Sequence, residues 1–186
     1  MMEEVEKYTR LWDLPKGYGN NYSHPYWQEI VSFLSAALHD RDLKPGLTLL
    51  DVGGGNGSLR KSFEDVGVSY TSLDLAPNSG ADIIADISDP QVISAGSFDY
   101  GISIDVMEHL PTDRVDDALA NIRQAVKHSV AFLISTRPDR GGKKIGQTLH
   151  LTVQPPAWWV AQLSKHWGDV QLIREVRGEY CMVVAT

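Results

Sequence analysis

The stretch LTLLDVGGGNGSL, residues 47–59, places Gly53, Gly54, Gly55 and Gly57 directly behind a run of strand-forming residues. Glycine loses more conformational entropy on folding than any other residue, so such a cluster needs a geometric reason. Two reasons compete: a backbone that must take positive φ angles, or a ligand that comes closer than a Cβ would allow. The almost continuous apolar run of 47–52 reads as a strand covered on both faces. The residues from Ser58 to Asp65 read as a helix. The glycines therefore stand between a strand end and a helix start, where an open α/β sheet binds its ligands. A helix N-terminus there offers unpaired N–H groups and the positive end of a dipole to an anionic group.

Working outward, further strands are expected at 68–74, 81–86, 98–104, 130–136, 170–176 and 180–186. A helix opens at Pro25, where a missing N–H costs nothing, with Trp27, Ile30, Val31, Leu34, Ala37 and Leu38 on one face. The clearest helical periodicity spans 112–126, with Val115, Ala118, Leu119, Ile122 and Val126 inward. A last helix opens on proline at 155–167, and residues 1–24 show little periodicity. Alternating strands and helices imply an α/β fold with a parallel sheet and right-handed crossovers. The seventh strand, joined to the sixth by the RGE hairpin, adds one antiparallel strand. The expected organisation is a single domain over 1–186, with an N-terminal lid and helix at 1–42 and the core at 43–186.

Composition narrows the function. A length of 186 residues suits one domain, and 42% hydrophobic with 22% charged residues is ordinary for a globular protein. No apolar run approaches the roughly 20 residues that cross a bilayer. No signal peptide is evident in the acidic N-terminus. The single cysteine, Cys181, excludes an internal disulfide and fits a reducing compartment, so the cytoplasm is the expected location. A net charge of −7 argues against a broad nucleic-acid-binding surface. The oligomeric state stays open.

Three acids end successive strands: Asp51, Asp74 and Asp86. A carboxylate after the second strand can accept from both hydroxyls of a ribose, and one after the third from a purine amine. A plain structural reading stands beside each, with Asp74 capping the turn LAPNSG and Asp86 capping the segment at Ser88. With the glycine turn, the set describes a pocket for an adenosine carrying an amino-acid-like tail. LLDVGGGNGSL, YTSLDL, ADIIADISD and FDYGISIDVMEHL, in that order, resemble the motifs of class I S-adenosylmethionine-dependent methyltransferases of the ubiquinone-biosynthesis type. That resemblance implies a Rossmann-like, doubly wound, seven-stranded sheet and S-adenosyl-L-methionine as cofactor. It further implies that Gly53, Gly55, Asn56 and Gly57 border the methionine and ribose portions, and that Asp74 with Leu75 holds the ribose. Asp86 with Ile87 would border the adenine, Asp51 would orient the glycine loop or meet the methionine amine, and Asp105 would close the cofactor site.

Methyl transfer from a sulfonium needs mainly alignment and a dry cavity, plus a base if the acceptor arrives protonated. Glu108, His109 and His150 are the expected catalytic groups, with His150 first as base. Some relatives bind a divalent metal through Glu-x-x-Glu-His; here the pattern is Asp105-x-x-Glu108-His109, so no metal is expected. Tyr18, Tyr22 and His24 are expected in a lid facing the substrate, and Trp27 in the core. Of Trp158 and Trp159, one packs and the other, taken as Trp158, lines the acceptor pocket. Arg137, Arg140, Lys143 and Lys144 either draw in an anionic acceptor or form a solvated loop. The leading expectation is methylation of a small molecule. Alternatives are methylation of a macromolecule and a non-catalytic cofactor-binding domain. A dinucleotide oxidoreductase fails on the glycine spacing, because Ser58 stands where G-x-G-x-x-G needs its third glycine.

Overall fold

The computed structural model describes residues 2–15 and 45–186. The helix expected from Pro25, with its core residue Trp27, and the lid residues Tyr18, Tyr22 and His24 lie outside the described residues. Seven strands form one sheet in the order β3-β2-β1-β4-β5-β7-β6. They are β1 (Thr48–Val52), β2 (Ser69–Asp74), β3 (Ile83–Ile84), β4 (Phe98–Ile104), β5 (Val126–Ser135), β6 (Val170–Val176) and β7 (Tyr180–Ala185). Only β7 runs against its neighbours, pairing antiparallel with β5 and β6, as the expected hairpin requires.

Alternation along β1 sends Leu50 and Val52 to one face and Leu49 to the other. The first face packs on α3 (Val115–Ala125) and α4 (Pro156–Leu163), through Leu119, Ile122, Trp159 and Leu163. The opposite face holds Tyr70, Tyr100, Ile102 and Leu133, covered by Phe63 of α2 (Arg60–Glu64). The strand order reverses direction at β1, between β2 and β4, so a crevice opens beyond the carboxyl ends of these strands.

Four local readings needed adjustment. The strand expected at 81–86 shrinks to Ile83–Ile84, because the Asp82 carboxylate instead accepts from the Ser72 amide at 2.8 Å and binds Arg60. The helix of 112–126 begins as a 3-10 turn at Thr112–Arg114 and ends at Ala125, so that Val126 opens β5 opposite Phe98. The helix of 155–167 stops at Leu163, and the chain then turns to bury Trp167 edge-on against Phe132.

The largest departure is at the N-terminus, where Met2–Trp12 forms a helix, α1. Glu3 and Glu4 occupy its first turn, suited to the dipole, and Lys7 and Leu11 are buried on its inner face. That face mixes Glu4, Lys7 and Tyr8 with Leu11 and Trp12, so apolar periodicity alone does not reveal it.

Candidate functional site

The glycine turn is built from the backbone outward. Gly53 and Gly54 donate to the Leu73 carbonyl at 2.7 and 3.1 Å, which ties the loop to the end of β2. Gly53 and Gly55 have φ values of +74° and +50°, a region that L side chains rarely adopt. A Cβ on Gly53 would lie 2.2 Å from Val106, and one on Gly55 would lie 2.7 Å from the Trp12 ring. The positive φ expected of these glycines is present, and the space a Cβ would need is filled by the protein's own Val106 and Trp12. The neighbour at Gly55 is a tryptophan carried by α1.

Asp51 lies beneath this loop, buried, and accepts a hydrogen bond from the Tyr70 hydroxyl. Burial pushes its carboxyl up to about 7; the Tyr70 bond opposes that shift and Asp74 reinforces it. Asp74 accepts from the Gly55 amide at 3.2 Å and the Ala76 amide at 2.9 Å, and its carboxyl is also raised, chiefly by burial. Asp86 accepts from the amide and the hydroxyl of Ser88, at 2.8 and 2.6 Å. The Ser88 hydroxyl in turn receives Arg114 Nε at 3.1 Å, and Arg114 also pairs with Asp89.

A cavity of about 900 Å³, counting its open mouth, lies over these strand ends. On the β2–β3 side it is lined by Asp74, Leu75, Asp86 and Ile87, and on the β4 side by Asp105, Val106, His109 and Arg114. Gly53 lines it at the end of β1, and α1 adds Glu4, Tyr8 and Trp12. Asp105 holds φ +51°, uncommon for a residue with a side chain and characteristic of functional sites.

Other anticipated residues stand off the cavity wall. Gly55 lies under Trp12, Gly57 faces Arg60 and Tyr70, and Asn56 is exposed beside Gly80. Trp159 is fully buried and Trp158 packs edge-on against it, 4.8 Å between centroids, so Trp158 belongs to the α4 surface. Arg137 and Arg140 both pair with Glu179, at 3.0 and 3.1 Å, and Lys143 and Lys144 are exposed. None of the four lines the cavity; its wall carries Arg114 instead.

Glu108, His109 and His150 do converge. Two neighbours on a regular helix point about 100° apart, but here Met107–His109 is a single 3-10 turn. The Glu108 carbonyl accepts from the amides of Leu151 and Thr152, both at 2.9 Å, and this docks the His150 segment onto the turn. One ligand-type atom from each of the three side chains lies within 4.8 Å of the others. His150 Nδ1 lies 2.7 Å from the Arg137 carbonyl; a carbonyl only accepts, so Nδ1 carries a proton. The His150 Nε2 is 4.0 Å from Glu108 Oε1.

Glu108 is fully buried, and neither carboxylate oxygen has a hydrogen bond of good geometry among the described residues, although the nearby Glu108 and Ser135 amides and Arg137 favour its charged form. Burial drives its carboxyl well above the ordinary range, with Asp105 adding to the shift. His109 is pushed down to about 3, first by burial, then by His150 and Lys7. His109 is the member of the trio on the cavity wall; His150 and Glu108 sit one layer behind it.

Glu4, Tyr8, Trp12 and Arg114 were not anticipated from sequence. Tyr8 and Trp12, four residues apart behind an acidic first turn, are the signal that could have found the first three.

A family model described as a methyltransferase domain matches residues 20–174. The ubiquinone biosynthesis O-methyltransferase of Paramagnetospirillum magneticum is 30% identical over 134 residues, covering 66% of this chain and 47% of that protein. Hydroxymycolate synthase MmaA4 of Mycobacterium bovis is 32% identical over 123 residues, covering 55% of this chain and 41% of that protein. The chain thus spans less than half the length of either relative. Among solved structures, the DhpI–SAH complex superposes with a TM-score of 0.69 at 16% identity, covering 100% of this chain and 96% of that one. Magnesium protoporphyrin IX methyltransferase of Synechocystis, with bound SAH, gives 0.63 at 18% identity, covering 97% and 94%. No described helix is long and apolar enough to cross a membrane. By fold, motif order and family match, the chain belongs to the class I S-adenosylmethionine-dependent methyltransferase family.

Proposed function

We propose that the protein transfers a methyl group from S-adenosylmethionine to a small-molecule acceptor. The observation that carries this reading is that Gly53, Asp74, Leu75, Asp86, Ile87 and Asp105 line the same cavity as His109. In this reading Asp74 takes the ribose hydroxyls, Asp86 and Ile87 border the adenine, and the glycine turn borders the methionine tail. Asp51 acts from beneath, holding the loop through Tyr70. The acceptor enters on the β4 side, facing His109, Tyr8 and Arg114. An anionic acceptor would meet Arg114 rather than the 137–144 loop.

As the methyl moves, the acceptor atom forms the new bond with its lone pair, and the sulfonium leaves as a neutral thioether. A proton lost from the acceptor passes to water at the open mouth of the cavity, since His109, pushed down to about 3, binds one weakly. A small acceptor suits a cavity roofed in part by α1, and the buried thiol of Cys181 suits a reducing, cytoplasmic setting. Calorimetry should detect binding of S-adenosylmethionine and its demethylated product, and none of NAD. Methyl transfer to a panel of phenols, amines and carboxylic acids should then identify the acceptor class. Tight NAD binding with no affinity for the demethylated product would overturn the reading, and binding without any turnover would favour a regulatory domain.

A second reading is favoured by one observation, the poorly hydrogen-bonded carboxylate of Glu108 facing two imidazoles. This donor set fits a divalent cation, since a buried carboxylate is retained at a cost unless it is paired or coordinates a metal. Glu108, His109 and His150 would hold the ion. When bound, such an ion would polarise an acceptor hydroxyl and favour its ionised form. Chelation that abolishes turnover, with recovery on adding Mg²⁺, Mn²⁺ or Zn²⁺, would support this reading; turnover indifferent to chelation would reject it.

A further inference from the structure

The segment that follows β3 is gripped from the side by the chain that follows β4. Asn121 of α3 donates through Nδ2 to the carbonyls of Ile87 and Asp89, at 2.8 and 2.9 Å. Arg114, at the end of the 3-10 turn before α3, directs two nitrogens at the same segment. Its Nε donates to the Ser88 hydroxyl at 3.1 Å and its Nη2 to the Asp89 carboxylate at 2.8 Å. Asn121 therefore holds the backbone of this segment, and Arg114 holds its side chains.

A guanidinium N–H only donates, so the Ser88 hydroxyl accepts from Arg114 and turns its own proton to Asp86 Oδ1, at 2.6 Å. The Ser88 amide donates to that same oxygen at 2.8 Å. Ser88 is buried, which shields both bonds from water. Among the described residues no hydrogen bond reaches Oδ2, and Asp86 lines the cavity beside Ile87 and Arg114. Capping and ligand binding, the two roles open to Asp86, thus use different oxygens. An aspartate carboxylate turns easily about its last torsion, so an anchor on Oδ1 decides where Oδ2 points. We propose that Arg114 is a positioning residue for the adenine: through the Ser88 hydroxyl it anchors Asp86 Oδ1 and presents Oδ2 as a pure acceptor, which selects a purine carrying an exocyclic amine over one carrying a carbonyl there. An amine donates to such an oxygen, whereas a carbonyl sets a second acceptor against it. Arg114 Nη1 takes no part in these bonds, so the residue can still meet an anion in the cavity. The inference rests on reading Asp86 and Ile87 as the border of the adenine.

Calorimetry with two probes tests it without a methyl acceptor: S-adenosylhomocysteine, and S-inosylhomocysteine, which has a carbonyl in place of the amine. The wild type should bind the adenine form at least about tenfold more tightly, as for a hydrogen bond to a charged group. Ser88→Ala removes the hydroxyl and leaves Arg114 in place, and Arg114→Met removes the donor at similar length. Each should cut the preference by about threefold or more, and the double variant should lose no more than one of them, because the two act in series. A folded Ser88→Ala protein that keeps the wild-type preference overturns the proposal. So do affinities for both probes that fall together, since loop packing alone would do that, and so does an additive double variant. If Arg114→Met fails to fold, the smaller Ser88→Ala change decides alone. A wild type that prefers neither probe overturns the placement of the adenine at Asp86 and the role of Arg114 with it. A preference that survives in the variants sinks the role of Arg114 only.

Discussion

On the β1–β2 side of the cavity each carboxylate is already held by the protein: Asp51 by Tyr70, and Asp74 by two backbone amides. On the β4–β5 side, Glu108 is as deeply buried and neither oxygen has a hydrogen bond of good geometry among the described residues. The first arrangement is rigid scaffolding, with donors supplied by glycine-turn and strand-end amides whose positions follow from the fold. The second keeps a group that is costly to bury, which is the kind of local conflict found mainly at functional sites. The cofactor end is thus built by backbone geometry, and the acceptor end by side chains from three segments that meet.

The largest effect expected on the cofactor side is a pH dependence of stability. Asp51, raised to about 7, binds its proton more tightly folded than unfolded. Its contribution is therefore fully present below the unfolded value near 4 and is lost as pH rises through about 7. The full span is at most about 4 kcal/mol, at roughly 1.4 kcal/mol per pH unit. Asp74 and Glu108 shift in the same direction. Denaturant melts from pH 5 to 8 should show falling stability in the wild type and a flatter profile in Asp51→Asn. A wild-type profile that rises over this range would break the picture of a buried, protonated Asp51.

Next in size, Asp74→Ala should weaken S-adenosylhomocysteine binding by about 1.5 to 3 kcal/mol, as for hydrogen bonds to a charged group. Unchanged affinity by calorimetry would reduce Asp74 to a cap for Gly55 and Ala76. The contrasting substitution on the acceptor side is Glu108→Gln, which removes a buried carboxylate at little change in volume. At pH 8 it should stabilise the fold by about 1 kcal/mol while abolishing turnover, the trade-off expected of a functional group held at a cost. A destabilised Glu108→Gln protein would erase the contrast between the two ends. The smallest effect should come from Arg140→Ala, since an exposed pair with Glu179 is worth about 1 kcal/mol or less. Its melting temperature and cofactor affinity should both stay close to wild type.

The strand-end wall of the cavity was legible because its logic is sequential. A buried strand, a glycine turn and acids at successive strand ends follow the chain order that the sheet itself obeys. The α3 face of Val115, Leu119 and Ile122 was legible for the same reason, its period matching the helix. The acceptor end was only half legible. Glu108, His109 and His150 were recognised as chemical groups, but their order of access was not. Which of them reaches the wall depends on the 3-10 turn and on two amides bonded to the Glu108 carbonyl. The two readings of the basic loop could not be separated in sequence, because nothing in the loop reveals that Glu179, far along the chain, pairs with two of its arginines. Helix α1 escaped notice because its inner face is amphipathic, Lys7 being buried against Glu4 and the Thr148 carbonyl. That one tryptophan of the pair packs inward was legible, and it is Trp159, with Trp158 half-buried against the same cluster.

One rigid helix, α1, touches Gly55 through Trp12 and His109 through Tyr8. Any thermodynamic linkage between the two ends of the cavity would therefore run through the seating of this helix. A molecule that binds at one end only while α1 is seated raises the affinity at the other end, and by reciprocity the second raises the first by the same factor. The size of that factor is limited by how differently each molecule binds the seated and unseated states. Cofactor and acceptor would then titrate as a cooperative pair, and a variant that loosens the helix would weaken the cooperativity before it weakened either site alone.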